Sequence, residues 1–321
     1  MPPALDPRPP PPAVRVRRPW PDRVFRGLTG SAGLTTLAVL GLIALFLVRE
    51  ALPALRVAGG SFLTTFEWAP EQGHFGIAAV LAGSVIIGVI AFVLAVPVAV
   101  GTALFINEYA PARLRGALTS LVDLLAAVPS LVYGLWGLYF LQPRLNGSTR
   151  WMADHLGFIP FFTSDRRPIG SSLFVAGVVV AIMIVPIVTS VSREVFRQAP
   201  WVLREAALAL GGTRWGMIRH VVLPFGRSGV IGGAMLGLGR ALGETIAVAL
   251  ILGFSFEITP RILPPGGSSI AGLIAVKFGE SAGPIERSAL VAAGLVLFVV
   301  TLLVNMAARL VVQRGRRAGA A

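Results

Sequence analysis

Long apolar segments alternate with shorter polar segments along this 321-residue chain. An α-helix needs about 20 apolar residues to cross a bilayer, and six segments reach that length. We therefore predict six membrane-spanning helices, at roughly 27–48, 77–106, 118–141, 172–191, 230–253 and 288–312. Pro97, Pro129 and Pro186 lie inside the second, third and fourth spans, where we expect them merely to kink packed helices.

The spans divide the chain into a membrane domain, residues 27–312, with polar segments at both ends. Residues 1–26 are rich in Pro and Arg and have little apolar periodicity, which predicts a disordered arm. Residues 313–321 form a short tail. The segment 192–229, between the fourth and fifth spans, is the only sizeable connection with a helical pattern. Residues 270–278 are apolar but too short to cross, which favours a re-entrant or interfacial helix.

Composition supports a membrane protein and excludes several chemistries. The chain is 55% hydrophobic and 13% charged, with a mean hydropathy of +0.78. It has no cysteine, which excludes disulfides and thiol catalysis, and three scattered histidines argue against a metal site. The single lysine, Lys277, is not part of a phosphate-binding P-loop, so we predict a chain that is not itself an ATPase.

The net charge of +13 could suggest a nucleic-acid partner, but its distribution favours membrane orientation instead. Of the 28 basic residues, 18 fall in the ends of the chain, the 107–117 and 192–229 connections and the end of the last span. The outer connections hold nine. Basic residues concentrate on the cytoplasmic side of membrane proteins. We therefore predict that both termini and the 192–229 connection are cytoplasmic, and that the lipid bilayer, not a nucleic acid, is the partner.

Within that connection, residues 205–224 predict a helix-turn-helix. Apolar residues recur at helical spacing on both sides of Gly211-Gly212. Glycine at this point permits a positive φ and a sharp turn, and we expect Pro224 to end the second helix. Such a structure on a membrane surface could be gripped by another protein, although Glu-Ala-Ala alone would favour an ordinary amphipathic surface loop.

The spacing of this segment resembles the EAA loop of importer-type ABC permeases, whose coupling helix docks on an ATPase subunit. Val221 stands where that family usually has Ile, which is a conservative difference. The resemblance implies a coupling role for Glu205, Ala206, Ala207, Gly211, Leu223 and Pro224.

Two charged residues, Arg240 and Glu244, lie near the middle of the fifth span. Four residues apart on one helix, they would share a face and could pair. A charge inside the bilayer costs at least about 2.5–3.5 kcal/mol, so it must be paired or face water. Either the pair only locks helix packing, or it lines a transport pathway, where the planar Arg fork suits an oxyanion.

Glycines on the same span form two stripes with a four-residue repeat. The first is Gly229, Gly233 and Gly237, and the second is Gly239 and Gly243. Small residues at this spacing let two helices approach closely. The pattern fits a seam between two permease subunits or packing within the chain equally well.

Beyond the first 26 residues, the chain resembles the phosphate-specific ABC permeases. The resemblance rests on the motifs at residues 66–76, 124–134 and 239–245. The Pro-Ser-x-Val-Tyr-Gly-x-Trp run within the second motif region and Val304-Asn305 are closer to the PstC type of subunit than to the PstA type. The arm at residues 1–26 is not part of the family pattern.

This resemblance implies an all-α, six-helix permease of the MetI-like, type I importer class in the bacterial inner membrane. It also implies a PstA-like second permease, two PstB-like ATPase subunits and a PstS-like extracytoplasmic phosphate-binding protein. In that family the fifth-span motif serves phosphate passage, which carries over to Arg240, Glu244 and Thr245. ATP and Mg²⁺ would act on the ATPase subunits, so we expect no cofactor on this chain.

The resulting hypothesis is ATP-driven phosphate import by alternating access. A permease for sulfate or molybdate would share the EAA loop, but it would not be expected to carry the motif at 239–245. An ATP-independent secondary transporter would normally need more spans or an inverted repeat, and the sequence shows neither.

Overall fold

The protein is almost entirely helical in the computed structural model, which describes residues 20–163, 170–252, 261–281 and 283–318, with 311–318 described by backbone alone. Residues 1–19 of the predicted arm and residues 319–321 of the predicted tail lie outside this part of the chain. The helices are α1 (Trp20–Ala58), α2 (Ala78–Leu104), α3 (Ala112–Ala127), α4 (Ser130–Trp136), α5 (Gln142–Leu156), α6 (Leu173–Arg197), α7 (Trp201–Ala209), α8 (Arg214–Met217), α9 (Leu223–Leu242), α10 (Ile246–Ile251), α11 (Ile270–Lys277) and α12 (Pro284–Ala318). Two short antiparallel strands, β1 (Trp68–Ala69) and β2 (His74–Phe75), form a hairpin with Trp68 opposite Phe75.

Among the described residues, five helical segments are long and apolar enough to cross a bilayer, and a sixth is added if one bent pair of helices counts as a single span. The prediction of an all-α, multi-pass membrane protein is therefore confirmed. The contacts divide the chain into two units, residues 1–46 and residues 47–321. The described part of the first unit is a single apolar helical segment, the N-terminal portion of α1.

Helix α6 is the centre of the second unit, because small residues let two other helices pack closely against it. Helix α2 presents a buried alanine every fourth residue, at Ala91, Ala95, Ala99 and Ala103. Residues at this spacing share one helix face. On α6 itself a Cβ at Gly177 would lie 2.5 Å from Cγ2 of Ile90. Close approach of this kind is how membrane helices gain van der Waals contact.

A second hydrophobic cluster joins segments that are distant in sequence. Ala51 and Ala54 of α1 pack with Phe62, Phe75 of the hairpin, and residues of α11 and α12. The Ser288 hydroxyl accepts a hydrogen bond from the Ala54 amide at 3.0 Å. The predicted short helix at residues 270–278 is present as α11, and its first turn is capped by the Ser269 hydroxyl, which accepts from the Gly272 amide at 3.0 Å.

The predicted third span is not one kinked helix. Helix α3 ends at Ala127, and α4 together with α5 leaves it at an angle of 90°. Val128 and Pro129 are both extended, as expected for a proline and the residue before it. The Leu125 carbonyl at the end of α3 accepts from the Tyr133 hydroxyl at 2.9 Å and from the Val128 amide at 3.4 Å.

The prediction that Pro224 ends a helix is wrong. Helical backbone runs from Arg214 to Leu242, so the predicted second helix of the connection continues into the fifth span. A π-helical segment, Ile218–Val222, precedes the proline, and the Leu223 amide bonds to the Ile218 carbonyl. This wider turn accommodates a residue that has no N–H and would otherwise crowd the carbonyl four residues earlier.

Three further boundaries differ from the predictions. Helix α1 begins at Trp20, so the last residues of the predicted arm are helical. Helix α5 occupies residues that were predicted as part of an outer connection. Helix α12 extends to Ala318, past the predicted end of the sixth span at residue 312. In each case the helix continues beyond its apolar stretch, which a hydropathy pattern does not detect.

Candidate functional site: the EAA segment and the break in the fifth span

The EAA segment, residues 201–224, turns sharply where the glycines predicted it would. Gly211 has φ +82°. Its amide donates to the Leu208 carbonyl at 3.0 Å, and the Gly212 amide donates to the Ala207 carbonyl at 3.1 Å. These two bonds define a Schellman C-cap. Helix α8 then starts with a Thr213 cap, whose hydroxyl accepts from the Gly216 amide at 3.1 Å.

Gly212, the second glycine of the predicted turn, has a separate structural role. A Cβ there would lie 2.4 Å from the Ala207 carbonyl oxygen, closer than real Cβ contacts come. Gly211 is therefore required by its backbone conformation, and Gly212 is required by the close approach of the preceding helix. The double glycine in the sequence was the available signal.

The six residues of the predicted coupling motif divide between two surroundings. Glu205, Ala206, Gly211 and Pro224 are exposed. Ala207 and Leu223 instead pack against a buried cluster formed by Ala103, Phe196, Met217, Ile218 and Val222. The motif thus both anchors the turn to the helical body and presents side chains outward.

Several large apolar side chains of this segment are exposed. Leu210 at the turn is 89% exposed, and the other large exposed apolar residues are Trp201, Val202, Leu203, Leu208 and Trp215. An apolar patch of this kind on a surface segment is characteristic of a protein contact.

An ion pair that the sequence did not reveal ties α7 to the end of α2. The Arg204 guanidinium lies 2.9 Å from the Glu108 carboxylate, and both side chains are largely buried. A second nitrogen of Arg204 donates to the Phe196 carbonyl. These contacts set the position of α7 against the helices, and because the partners are far apart in sequence no local pattern marks them.

The predicted pairing of Arg240 with Glu244 is not what the structure contains. Helix α9 ends at Leu242, and α10 starts at Ile246, so the two residues do not share a continuous helix. Among the residues that the structure describes, Arg240 has no carboxylate partner, and its side chain is exposed. The prediction assumed an unbroken helix, in which residues four apart face each other.

Glu244 is buried in the break, with 8% of its surface exposed, and it caps the next helix. Its carboxylate accepts a hydrogen bond from the Ala247 amide at 3.3 Å. The adjacent Thr245 hydroxyl donates to the Gly243 carbonyl at 3.1 Å. Helix α10 sits tightly against α4, since a Cβ at Gly134 would lie 2.8 Å from the Ala247 Cα.

The two glycine stripes on α9 have different roles. A Cβ on Gly229, Gly233 or Gly237 would meet valines of α6 at 2.2, 3.0 and 2.8 Å, so this stripe packs within the chain. Gly239 has nothing within 4 Å, and Gly243 has only carbonyls of its own helix. The second stripe therefore lies on an open face of α9, and Arg240 is exposed beside it.

These features describe a multi-pass helical domain with an exposed EAA segment, and comparison with known proteins assigns its family. Residues 95–317 match the family model described as "binding-protein-dependent transport system inner membrane component". The chain belongs to this family of importer permeases. It is 45% identical over 293 residues to phosphate transport system permease protein PstC 2 of Mycobacterium tuberculosis, with 90% of each chain covered.

Other relatives and solved structures agree with this assignment. The PstC permease of Mycobacterium leprae is 44% identical, covering 90% of this chain and 92% of its own, and that of Xylella fastidiosa is 42% identical, with 91% of each covered. A bacterial alginate ABC transporter matches with TM-score 0.58 at 16% identity, over 91% of this chain and 96% of its own. The inward-facing methionine transporter MetNI matches with TM-score 0.51 at 17% identity, over 75% and 94%. These structural matches establish the type I importer permease fold.

Proposed function

We propose that this chain is the PstC-like permease subunit of an ATP-driven importer of inorganic phosphate. The substrate assignment is supported by relatives at 38–45% identity that are named phosphate permeases and that align over about nine-tenths of this chain. The observation that carries the site assignment is the exposed guanidinium of Arg240 beside the open glycine face of α9, with no carboxylate partner among the described residues.

An unpaired Arg inside a membrane span suits anion passage. Its five donors form a planar fork that binds oxyanion oxygens in pairs, and it remains charged at any physiological pH. Glu244 caps α10 and forms no ion pair with Arg240. Thr245 lies next to this carboxylate. In the complex, we expect the open face of α9 to meet a PstA-like second permease, so that Arg240 lines the path between the two subunits.

Energy would enter through the EAA segment, which we place on the cytoplasmic side together with both termini. Its exposed apolar residues and the exposed Glu205 and Ala206 would dock on one of two PstB-like ATPases. ATP and Mg²⁺ act on those subunits, since the sequence holds no P-loop. ATP binding would close the ATPase pair and open the path outward to a PstS-like phosphate-binding protein; hydrolysis would reset the path inward.

The test is uptake of labelled phosphate, sulfate and molybdate by vesicles that contain the complete complex. We expect uptake of phosphate alone, and we expect Arg240→Ala to abolish it while the complex still assembles. Arg227→Ala removes an exposed arginine from the same helix and serves as the matched control, with normal uptake expected.

Each contrary result has a defined meaning. Undiminished uptake by Arg240→Ala would overturn the pathway role of Arg240. Loss of assembly in that variant would assign the residue to packing. Uptake of sulfate or molybdate in place of phosphate would leave the assignment as a permease intact and would overturn the assignment of phosphate as its substrate.

A further inference from the structure

A cavity of about 370 Å³ lies beside the EAA segment. Its lining residues are distant from Arg240 in the sequence. The cavity is open to the surface and is lined by residues that follow α2, by α3, by the end of α6 and by α7. Its lining includes four arginines and a single carboxylate: Arg115, Arg193, Arg197, Arg204 and Glu194. Four guanidiniums around one cavity would repel one another unless negative charge lies among them.

The carboxylates in and around the cavity do not saturate these arginines. One guanidinium nitrogen of Arg204 lies 2.9 Å from the Glu108 carboxylate, and one of Arg193 lies 3.7 Å from the Asp123 carboxylate. Asp123 also accepts from the Ser190 hydroxyl at 2.8 Å. Glu194 pairs with Arg197, with 3.1 Å between a guanidinium nitrogen and a carboxylate oxygen. Three carboxylates therefore pair with three of the four guanidiniums, which leaves an excess of one positive charge.

Several arginine donors in the lining have no partner among the described residues. Nη1 of Arg193 and Nε of Arg204 are buried and make no hydrogen bond. Arg115 uses only Nε, which donates to the Ala110 carbonyl at 2.9 Å. Buried donors are almost always satisfied, because leaving one unpaired costs its hydration without compensation. Arg193 and Arg204 therefore offer buried donors to an acceptor that enters the cavity, and their charge favours an anion.

We propose that this cavity binds a phosphate group. A guanidinium can donate two parallel hydrogen bonds to two oxygens of a phosphate group. The lining also contains the polar side chains of Thr119 and Asn107. The phosphate group has two sources, free inorganic phosphate or the headgroup of an anionic phospholipid. Because Arg204 belongs to α7, the bound anion would bear directly on the position of the EAA segment.

The experiment uses the purified full-length chain with Arg240→Gln, so that the site proposed for transport does not contribute. Binding of radiolabelled inorganic phosphate is measured at equilibrium, and retention of phosphatidylglycerol is measured by native mass spectrometry. We expect saturable binding of at least one probe, weakened at least tenfold by Arg115→Gln or by Arg197→Gln. Arg113→Gln removes a neighbouring exposed arginine that does not line the cavity, and it should leave binding unchanged.

The two probes separate the sources. Phosphate binding that depends on Arg115 assigns the site to the free anion, and lipid retention that depends on it assigns the site to a headgroup. Binding of neither probe overturns the proposal, as does binding that Arg113→Gln weakens equally. Arg115 and Arg197 are both exposed, so these substitutions should leave the fold intact, which the thermal unfolding midpoint of each variant checks.

Discussion

The chain interrupts its helices at two points of the candidate site, and it does so by different means. At Leu210–Gly212 the turn is exposed and closes with two short-range backbone bonds and a positive φ at Gly211. At residues 243–245 no residue has a positive φ; instead, the buried carboxylate of Glu244 holds the first turn of α10. The first interruption is local backbone geometry, and the second depends on burial and packing.

This difference has a physical consequence for how each point responds to mutation. A Schellman turn needs only glycine and a preceding helix, so its neighbours contribute little. A carboxylate cap inside a membrane span must be enclosed by other helices, because an unsatisfied polar group there is costly. The following predictions probe that contrast, beginning with the largest effect.

The largest effect is expected at Glu244. Glu244→Ala leaves the Ala247 amide without its acceptor in a buried site and should lower the free energy of unfolding by about 1–3 kcal/mol. Glu244→Gln keeps a side-chain oxygen in place and should retain most of the stability. Denaturant unfolding of the detergent-purified chain measures both variants. Equal stability of Glu244→Ala and the unmodified chain would show that packing alone maintains the break.

At Gly211 we expect a smaller loss of stability than at Glu244, together with a loss of coupling between ATP hydrolysis and transport. A β-branched residue in the left-handed region costs about 1–2 kcal/mol, so Gly211→Val should distort the turn. The number of phosphate ions transported per ATP hydrolysed by the complete complex should fall. Gly211→Asn is the matched control, because asparagine tolerates this conformation. Normal coupling in Gly211→Val would contradict the role of the turn.

The smallest effect is expected at the start of α8. Thr213→Ala removes the hydroxyl that accepts from the Gly216 amide, which should cost about 1 kcal/mol. Hydrogen exchange at Gly216 should become faster, while Thr213→Ser should preserve the slow rate. An unchanged exchange rate in Thr213→Ala would mean that the adjoining helix, not the cap, holds this turn.

The sequence predicted the turn at Gly211 correctly because the information lies in neighbouring residues. It failed at Pro224 because a π-helical segment, which no composition signal marks, lets the helix continue past the proline. The pairing of Arg240 with Glu244 failed for a related reason. Spacing alone implies a shared helix face, whereas α9 ends at Leu242, between the two residues, and Glu244 is buried in the break.

The sequence by itself determined the class of the protein, the apolar segments able to span a membrane and the EAA turn. Hydrophobicity, spacing and turn chemistry are properties of contiguous residues, so they can be read without coordinates. Only the tertiary structure decided which glycine stripe packs on α6, the right-angled break after α3 and the arginine-lined cavity. The glycine packing and the cavity depend on segments far apart in the chain, whereas the break after α3 is local but its angle is not specified by the apolar pattern.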